Sequence, residues 1–135
     1  MIIFVDIDGT ICKTEGNDYL NAKPDYTAIA KINKLWEEGN TVIYWTARGG
    51  TSGKNWRSET IDQLRAWGCQ CDDVRVGKPS FDQFIDDKAC SAKVFFIDET
   101  DLANKLYQWS DWNLEADVTK KDCRNIVNWI LKEIR

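Results

Sequence analysis

Two short apolar runs with one helical pattern between them restrict the fold of this chain more than any other feature. Residues 1–5 and 41–45 are rich in β-branched and aromatic side chains, and each run predicts a strand buried on both faces. Over residues 25–38 apolar side chains recur at helical spacing, with Pro24 before the segment and Gly39 after it. Elements of these lengths form a right-handed parallel crossover, so we predict an α/β fold in which both strands end at one sheet edge.

Later segments continue this alternation with weaker patterns. Gly68 ends one helical pattern, and Thr119 is a suitable cap for another. The predicted elements are a helix over 57–67, a strand over 73–76, a further strand over 94–97, a short helix through 102–109 and a last amphipathic helix through 123–134. We therefore predict a doubly wound parallel sheet in a single domain over residues 1–135, with 91–135 as its C-terminal helical extension.

Composition excludes several classes of protein and of chemistry. The 135 residues carry a net charge of −4 without a basic run, which argues against a nucleic-acid surface. No apolar stretch approaches the roughly twenty residues that span a membrane, and acidic residues near the start argue against a signal peptide. We therefore expect a cytoplasmic protein. The chain lacks histidine, which excludes Ser–His–Asp and Cys–His catalysis and leaves acid–base work to carboxylates, lysines or tyrosines.

The cysteines show no pattern of metal ligands. There are five of them, an odd number, and Cys69 and Cys71 are the one close pair. This pair lacks the spacing of a zinc site. In a cytoplasmic protein we expect reduced, partly buried thiols.

Two carboxylates, Asp6 and Asp8, directly follow the first predicted strand. Residues two apart in an extended chain point the same way, so both side chains can face the sheet edge where open α/β folds place their ligands. Two anions this close repel unless a cation joins them or one is protonated, so a divalent metal and a proton-carrying acid are both natural interpretations. Gly9 allows the chain to turn sharply after them. The alternative is a surface turn with two solvated acids.

Three further polar points lie at or near the ends of predicted strands. Thr46 follows the second strand, Lys78 follows the third, and Asp86 and Asp87 follow a short apolar step. Taken singly, they are explained by a helix cap, a solvated lysine and an acidic turn. Their order along the chain and their shared edge favour one site.

In order and spacing, these motifs resemble the haloacid dehalogenase (HAD) superfamily of phosphotransferases. Asp6-Ile7-Asp8-Gly9-Thr10 matches the family's first motif, DxDGT, while Thr46, Lys78 and Asp86-Asp87 match its second, third and fourth motifs. The match covers about residues 1–90, and the resemblance implies a Rossmann-like three-layer α/β/α fold. More narrowly, three segments look like small HAD phosphatases found with capsule and surface-polysaccharide biosynthesis. They are Thr46-Ala47-Arg48-Gly49, Gly77-Lys78-Pro79-Ser80 and Ile85-Asp86-Asp87-Lys88-Ala89.

The resemblance implies a reaction in which Asp6 is the nucleophile and forms an aspartyl-phosphate. Asp8 would protonate the leaving oxygen and later take a proton from water, which requires a carboxyl group with a raised pKa. The Thr46 hydroxyl and the Ala47 amide would bind the phosphoryl oxygens, and Lys78 would offset their negative charge.

The resemblance also implies Mg²⁺ as the cofactor. The Asp6 carboxylate, the Asp8 backbone carbonyl and Asp86 would hold the ion, and such oxygen ligands suit a hard cation. Asp87 would join the metal through water or orient another ligand.

Neither interval between the motifs is long enough for a cap domain, so the chain looks like a capless member of the family. The site walls would then come from residues 11–23, a predicted loop or small flap, from 49–56, or from another subunit. Arg48 and Lys54 are candidates for contacts with a polar or anionic substrate, with solvated loop charges as the alternative. Two aromatic side chains of the same loops, Tyr19 and Trp56, could also line the site, and ordinary packing is the preferred interpretation for Trp56.

We therefore predict a Mg²⁺-dependent phosphatase for a small phosphorylated metabolite, a sugar or polyol phosphate, in polysaccharide biosynthesis. The alternatives are a nucleotide or phosphoprotein phosphatase of the same superfamily, and a catalytically silent HAD-like module that binds a partner. We also predict a homo-oligomer, dimer or tetramer, with contacts through the last helix, Trp109 and Trp112. Packing of that helix over the sheet is the alternative.

Overall fold

The computed structural model describes residues 1–113 and 117–135, and the side chains of residues 111 and 112 lie outside the described part. The chain divides into two compact units, Met1–Gln83 and Phe84–Arg135. The prediction of a single domain over 1–135 stays a prediction.

The first unit combines short strands with two helices. In chain order its elements are β1 (Ile2–Val5), β2 (Cys12–Lys13), a 3₁₀ turn (Tyr19–Asn21), β3 (Lys23–Pro24), α1 (Tyr26–Glu37), β4 (Thr41–Trp45), α2 (Arg57–Ala66) and β5 (Asp73–Arg75). Strands β1, β4 and β5 form a parallel sheet in that order, with Val5 opposite Tyr44 and Tyr44 opposite Val74. The predicted α/β fold with a parallel crossover is confirmed, and β1 and β4 end at the same sheet edge.

One face of this sheet forms the core of the first unit. Val5, Tyr44 and Val74 share that face, and all three are buried. Both crossovers step across the sheet in the same direction, so right-handed connections place α1 and α2 on the same face. Helix α1 begins where the Asp25 side chain accepts a hydrogen bond from the Ala28 amide at 3.0 Å. The apolar period of α1 then buries its inner face against the sheet.

The prediction that the first strand is buried on both faces is wrong. Ile2 is 70% exposed and Phe4 is 49% exposed, since β1 is an edge strand of this sheet. The central strand is β4, in which Val42, Ile43 and Tyr44 are all buried. An apolar composition therefore identified both strands but not their order in the sheet. The doubly wound, three-layer arrangement stays a prediction.

Residues 11–24 form a small flap, as predicted. Strands β2 and β3 pair antiparallel, with Cys12 opposite Pro24 and Lys13 opposite Lys23, and the 3₁₀ turn lies between them. The flap starts directly after the acidic motif, and Cys12 in its first strand also forms a β-bridge with Asp8.

The second unit is helical in its described part. Its elements are α3 (Ala92–Phe95), α4 (Glu99–Asn113) and α5 (Lys120–Ile134). The strand predicted over 94–97 is wrong, because the amides of Val94 and Phe95 bond to the Ser91 carbonyl and close a helical turn. Short apolar runs do not distinguish the two states.

Helices α4 and α5 confirm the two helical predictions of this region. Thr119 caps α5 through a capping box with Asp122. Ala103, Val127 and Leu131 form the buried cluster of this unit. Among the helices of residues 1–113 and 117–135, none is long and apolar enough to cross a membrane.

Candidate functional site

Asp6 lies at the centre of a polar cluster at the carboxyl ends of the parallel strands. The Lys78 ammonium group approaches its Oδ1 atom at 3.0 Å, and the Thr10 hydroxyl donates to Oδ2 at 3.1 Å. Lys78 comes from the segment after β5, so two separate strands contribute to the contact. A half-exposed carboxylate with one cation and one hydroxyl beside it is suited to attack or to bind an electrophile.

Thr46 connects the ends of β4 and β5. It is 1% exposed, its amide donates to the Arg75 carbonyl, and its own carbonyl accepts from the Lys78 amide at 3.1 Å. Its hydroxyl oxygen accepts from the Arg48 amide at 3.1 Å. The carbonyl of Thr46 therefore holds Lys78, and its hydroxyl holds Arg48, beside the sheet edge.

Asp8 is held by a fork of hydrogen bonds from Arg48. Arg48 Nε donates to Asp8 Oδ2 and Nη2 donates to Oδ1, both at 2.8 Å, while the Thr14 hydroxyl donates to Oδ1 at 2.6 Å. Burial raises the pKa of Asp8, but the bonds from Arg48 and Thr14 outweigh it and keep the pKa below its ordinary value of 3.8. Asp8 is therefore an ionised carboxylate in this arrangement.

The direction of this shift is opposite to the one expected of Asp8 as a general acid. A general acid that works near neutrality needs a raised pKa, whereas charge-assisted bonds to Arg48 lower the pKa of Asp8. An ionised carboxylate can accept a proton but has none to donate.

Arg48 is buried, so the alternative interpretation of a solvated loop charge is wrong. It is 4% exposed, and Nη1 donates to Gln63 Oε1 at 2.8 Å and to Thr60 Oγ1 at 3.4 Å, both on α2. Its guanidinium carbon lies 4.8 Å from the centre of the Tyr19 ring. The guanidinium is thus enclosed by the acidic motif, the flap and α2.

The two predicted wall segments contact each other. The rings of Tyr19 and Trp56 meet edge to face with centroids 5.1 Å apart, and Lys54 Nζ lies 3.8 Å from the Trp56 ring centre. Gln63 Nε2 donates to the Tyr19 carbonyl at 2.7 Å. The flap and residues 49–56 therefore form a continuous wall beside Arg48.

An open depression of about 450 Å³ lies between the acidic motif and the flap. Its lining includes Gly9, Thr10, Lys13, Lys23 and Asp25. Gly9 has a φ of +81°, a left-handed conformation that favours glycine, and this turn carries the chain from the motif into the flap. Of the polar cluster, only Thr10 lines this depression, so it lies beside the cluster and does not contain Asp6, Asp8 or Lys78.

Asp86 and Asp87 belong to the second unit, and the contacts described above join residues of the first unit. Both aspartates are exposed, and Asp86 Oδ1 accepts a hydrogen bond from the Lys88 amide at 2.7 Å. Their assignment to the metal stays a prediction.

The donor chemistry of the first unit fits a hard divalent ion. Among the described residues, no group of three or more histidine, cysteine, aspartate or glutamate side chains is arranged to hold a metal. Mg²⁺ usually binds one or two carboxylates together with water and substrate phosphate. The Asp6 carboxylate and the Asp8 backbone carbonyl are oxygen ligands of the type that this ion takes. Asp8 contributes little through its carboxylate, because Arg48 engages both of its oxygens.

The cysteines agree with the predicted reduced state. All five are free, and Cys12 and Cys123 are buried. Burial raises the pKa of Cys12, whose thiol lies 3.5 Å from the Ile7 carbonyl oxygen, and burial raises the pKa of Cys69 to about 11. Protonated thiols are poor nucleophiles, so Cys12 and Cys69 lack the character of catalytic cysteines.

Four site residues were missed at the sequence level. Thr10 and Thr14 bond to the two aspartates, and Thr60 and Gln63 bond to Arg48. A signal existed for the last two, because both polar residues lie beside Leu64 on the inward side of α2.

Comparisons with known proteins bear on the fold alone. The sequence matches no protein-family model and no curated protein. Among solved structures, the chain is similar to the crystal structure of a structural-genomics target from Vibrio cholerae, with a TM-score of 0.56 and 18% identity. The similarity covers 99% of this chain and 98% of that one. It supports the α/β fold.

Proposed function

We propose that this protein is a Mg²⁺-dependent phosphatase of HAD type that hydrolyses a small phosphorylated metabolite. The observation that carries the proposal is the Asp6 carboxylate at the strand ends, with Lys78 at 3.0 Å and the Thr10 hydroxyl at 3.1 Å. A nucleophile needs to approach a dianionic phosphate, and a cation beside it lowers the electrostatic cost of that approach. An ordinary acidic turn does not require a lysine from a different strand.

In the proposed reaction Asp6 forms a bond to phosphorus while the bond from phosphorus to the ester oxygen breaks. The ester oxygen leaves as an anion or with a proton from a protonated Asp8. Water then attacks the aspartyl-phosphate and gives a proton to the Asp8 carboxylate, which releases inorganic phosphate and restores Asp6. Lys78 offsets the negative charge on the phosphoryl group, and the Thr46 hydroxyl and the Ala47 amide bind its oxygens.

Asp8 is suited to the hydrolysis of the aspartyl-phosphate more than to its formation. Its ionised carboxylate can take a proton from the hydrolytic water. In the formation step, either Asp8 carries a proton in a rearranged pair with Arg48 and gives it to the leaving oxygen, or the leaving group departs as an anion. Esters with acidic leaving groups should therefore react faster than alkyl esters.

Mg²⁺, when bound, would neutralise phosphoryl charge and orient the phosphate toward Asp6. Asp6 and the Asp8 backbone would hold the ion in the first unit, and we retain Asp86 and Asp87 as proposed further ligands. Oxygen donors of this kind favour Mg²⁺ over zinc.

The walls of the site support the proposed substrate class. The flap and the 49–56 loop supply aromatic rings and the Lys54 ammonium group, which suit a polar ring with a negative charge. A sugar or polyol phosphate, as an intermediate of polysaccharide biosynthesis, is our first choice. The ring pair of Tyr19 and Trp56 also suits stacking on a base, which keeps a nucleotide phosphatase as the alternative.

A catalytically silent binding module is the second candidate function. The observation in its favour is the Asp8 carboxylate, both of whose oxygens are engaged by Arg48. Such a module would bind a phosphorylated ligand through Lys78 without turning it over.

Release of phosphate from 4-nitrophenyl phosphate, with and without Mg²⁺, separates these candidates. We expect turnover with Mg²⁺, followed by a preference for sugar or polyol phosphates over nucleotides and phosphopeptides in a panel. Binding of phosphate esters without turnover would favour the silent module. No turnover and no binding would refute the proposal.

We further propose a homo-oligomer, a dimer or tetramer. Helix α5 buries Cys123, Val127 and Leu131 but leaves Trp129 66% exposed, and Trp109 on α4 is 54% exposed. The side chain of Trp112 lies outside the described residues. Light scattering at assay concentrations tests this point, and a monomer with full activity would contradict it.

A further inference from the structure

We propose that Arg48 is a positioning residue that fixes the Asp8 carboxylate, and that it does not bind substrate. The inference rests on the proposed function, since it assigns a role within that site. It replaces the expectation that Arg48 contacts an anionic substrate from a solvated loop.

Four of the five N–H donors of Arg48 are committed to the protein. A guanidinium group has five N–H donors in a fixed plane. Nε and Nη2 use one donor each on the two oxygens of Asp8, and Nη1 donates to Gln63 and to Thr60. The edge with two parallel donors, which an arginine normally offers to a phosphate, is therefore occupied by Asp8.

Burial points in the same direction. The Arg48 side chain is 2% exposed while the Asp8 side chain is 25% exposed, so the guanidinium approaches the carboxylate from the interior. A buried ion pair gains little net stability over apolar packing, because both ions lose water. The fork instead restricts the rotation of Asp8, which a lysine or an apolar residue would not do.

Arg48 also connects Asp8 to both walls of the site. Tyr19 in the flap covers the guanidinium at 4.8 Å, and Gln63 accepts from Arg48 while donating to the Tyr19 carbonyl at 2.7 Å. Asp8, the 3₁₀ turn of the flap and helix α2 thereby all contact the same buried guanidinium group of Arg48. A displacement of Arg48 would change the angle of Asp8 relative to Asp6.

Steady-state kinetics on the full chain tests this role with Arg48→Lys and Arg48→Gln. We expect kcat to fall about 100-fold in both variants while KM changes less than about threefold, because misplacing a catalytic group by about 1 Å costs that much. Lysine keeps the charge but lacks the fork, so it should not rescue kcat. Arg65→Gln, which changes an exposed arginine on α2, should keep both constants.

Two kinetic outcomes would overturn the inference. A raised KM with unchanged kcat would mean that Arg48 binds substrate, and rescue by lysine would mean that charge alone matters. If the arginine variants fail to fold, Gln63→Leu leaves both partners of the ion pair in place. It should lower kcat about tenfold, the lower end for loss of an orienting contact, and unchanged kcat would contradict the inference.

A double-mutant cycle keeps this inference separate from the proposed function. Urea unfolding of Asp8→Asn, Arg48→Gln and the double variant should give non-additive effects, with a coupling of about tenfold in the unfolding constant. Additive effects would overturn the inference whatever the activity. Coupling without turnover on any phosphate ester would refute the phosphatase and leave the Arg48–Asp8 contact standing.

Discussion

In the first unit a guanidinium group lies 4% exposed against a carboxylate, whereas the second unit buries Ala103, Val127 and Leu131 and leaves its ion pairs exposed. The exposed pairs of the second unit include Lys105 with Asp101, one helical turn apart on α4. Such pairs contribute about 0–1 kcal/mol each. The second unit is therefore organised by its apolar cluster.

The first unit is organised differently at its strand ends. Charged groups there are removed from water, which costs several kcal/mol per ion before pairing offsets it. Asp8, Arg48 and Lys78 are largely removed from water at one sheet edge despite this cost. Ligands of open α/β sheets bind at that edge. Buried, paired charge thus distinguishes the strand ends of the first unit from the described helices of the second unit, whose ion pairs lie at the surface. The predictions below test this contrast.

Asp6→Asn should have the largest effect. It removes the nucleophile without changing the bulk of the side chain, so turnover should fall by about 10⁴-fold or more. The matched control is Asp62→Asn, the same change at an exposed position of α2. Phosphate release measured on both variants checks this, and full activity in Asp6→Asn would refute the mechanism.

Removal of metal should also abolish turnover. EDTA should stop phosphate release, and Mg²⁺ should restore it, because the candidate ligands are oxygens. Restoration by Zn²⁺ alone would make the metal assignment wrong. Asp86→Ala should raise the Mg²⁺ concentration needed for half-maximal rate more than Asp87→Ala does, and the reverse order would exchange their roles.

Leu131→Ala should act on stability and leave the chemistry intact. Leu131 is 3% exposed in the apolar cluster, so the variant should lose about 2–5 kcal/mol of unfolding free energy. Ile130→Ala, at a 42% exposed neighbour, should lose less than about 1 kcal/mol. Urea unfolding measures both. A loss of kcat in folded Leu131→Ala protein would contradict the separation of packing from chemistry.

Features that depend on local pattern were predictable from the sequence. The apolar period of residues 25–38 and the length of the strand over 41–45 predicted the parallel crossover. The crossover in turn placed Asp6 and Thr46 at one edge of the sheet. The cap at Thr119 was equally local, because its partner Asp122 is three residues away.

Features that depend on distant partners were not predictable. The environment of Arg48 involves Asp8, 40 residues earlier, and Gln63, 15 residues later. No periodicity of one segment contains such information, so Arg48 was predicted to contact substrate, with a solvated loop charge as the alternative. The exposure of Phe4 was missed for the same reason, because sheet order decides which apolar strand lies at the edge.

The dependence of stability on pH gives the smallest effect and the sharpest contrast between the units. The pKa of Asp8 is lowered from 3.8 in the folded state, so its contribution is fully present above that value and is lost as pH falls through the folded pKa. The unfolding free energy of wild type should therefore decline in that acidic range, and Asp8→Asn should decline less steeply. Leu131→Ala should shift the whole curve downward without changing its slope. Urea unfolding at several acidic pH values measures these slopes, and equal slopes for wild type and Asp8→Asn would show that the pair with Arg48 does not stabilise the ionised carboxylate.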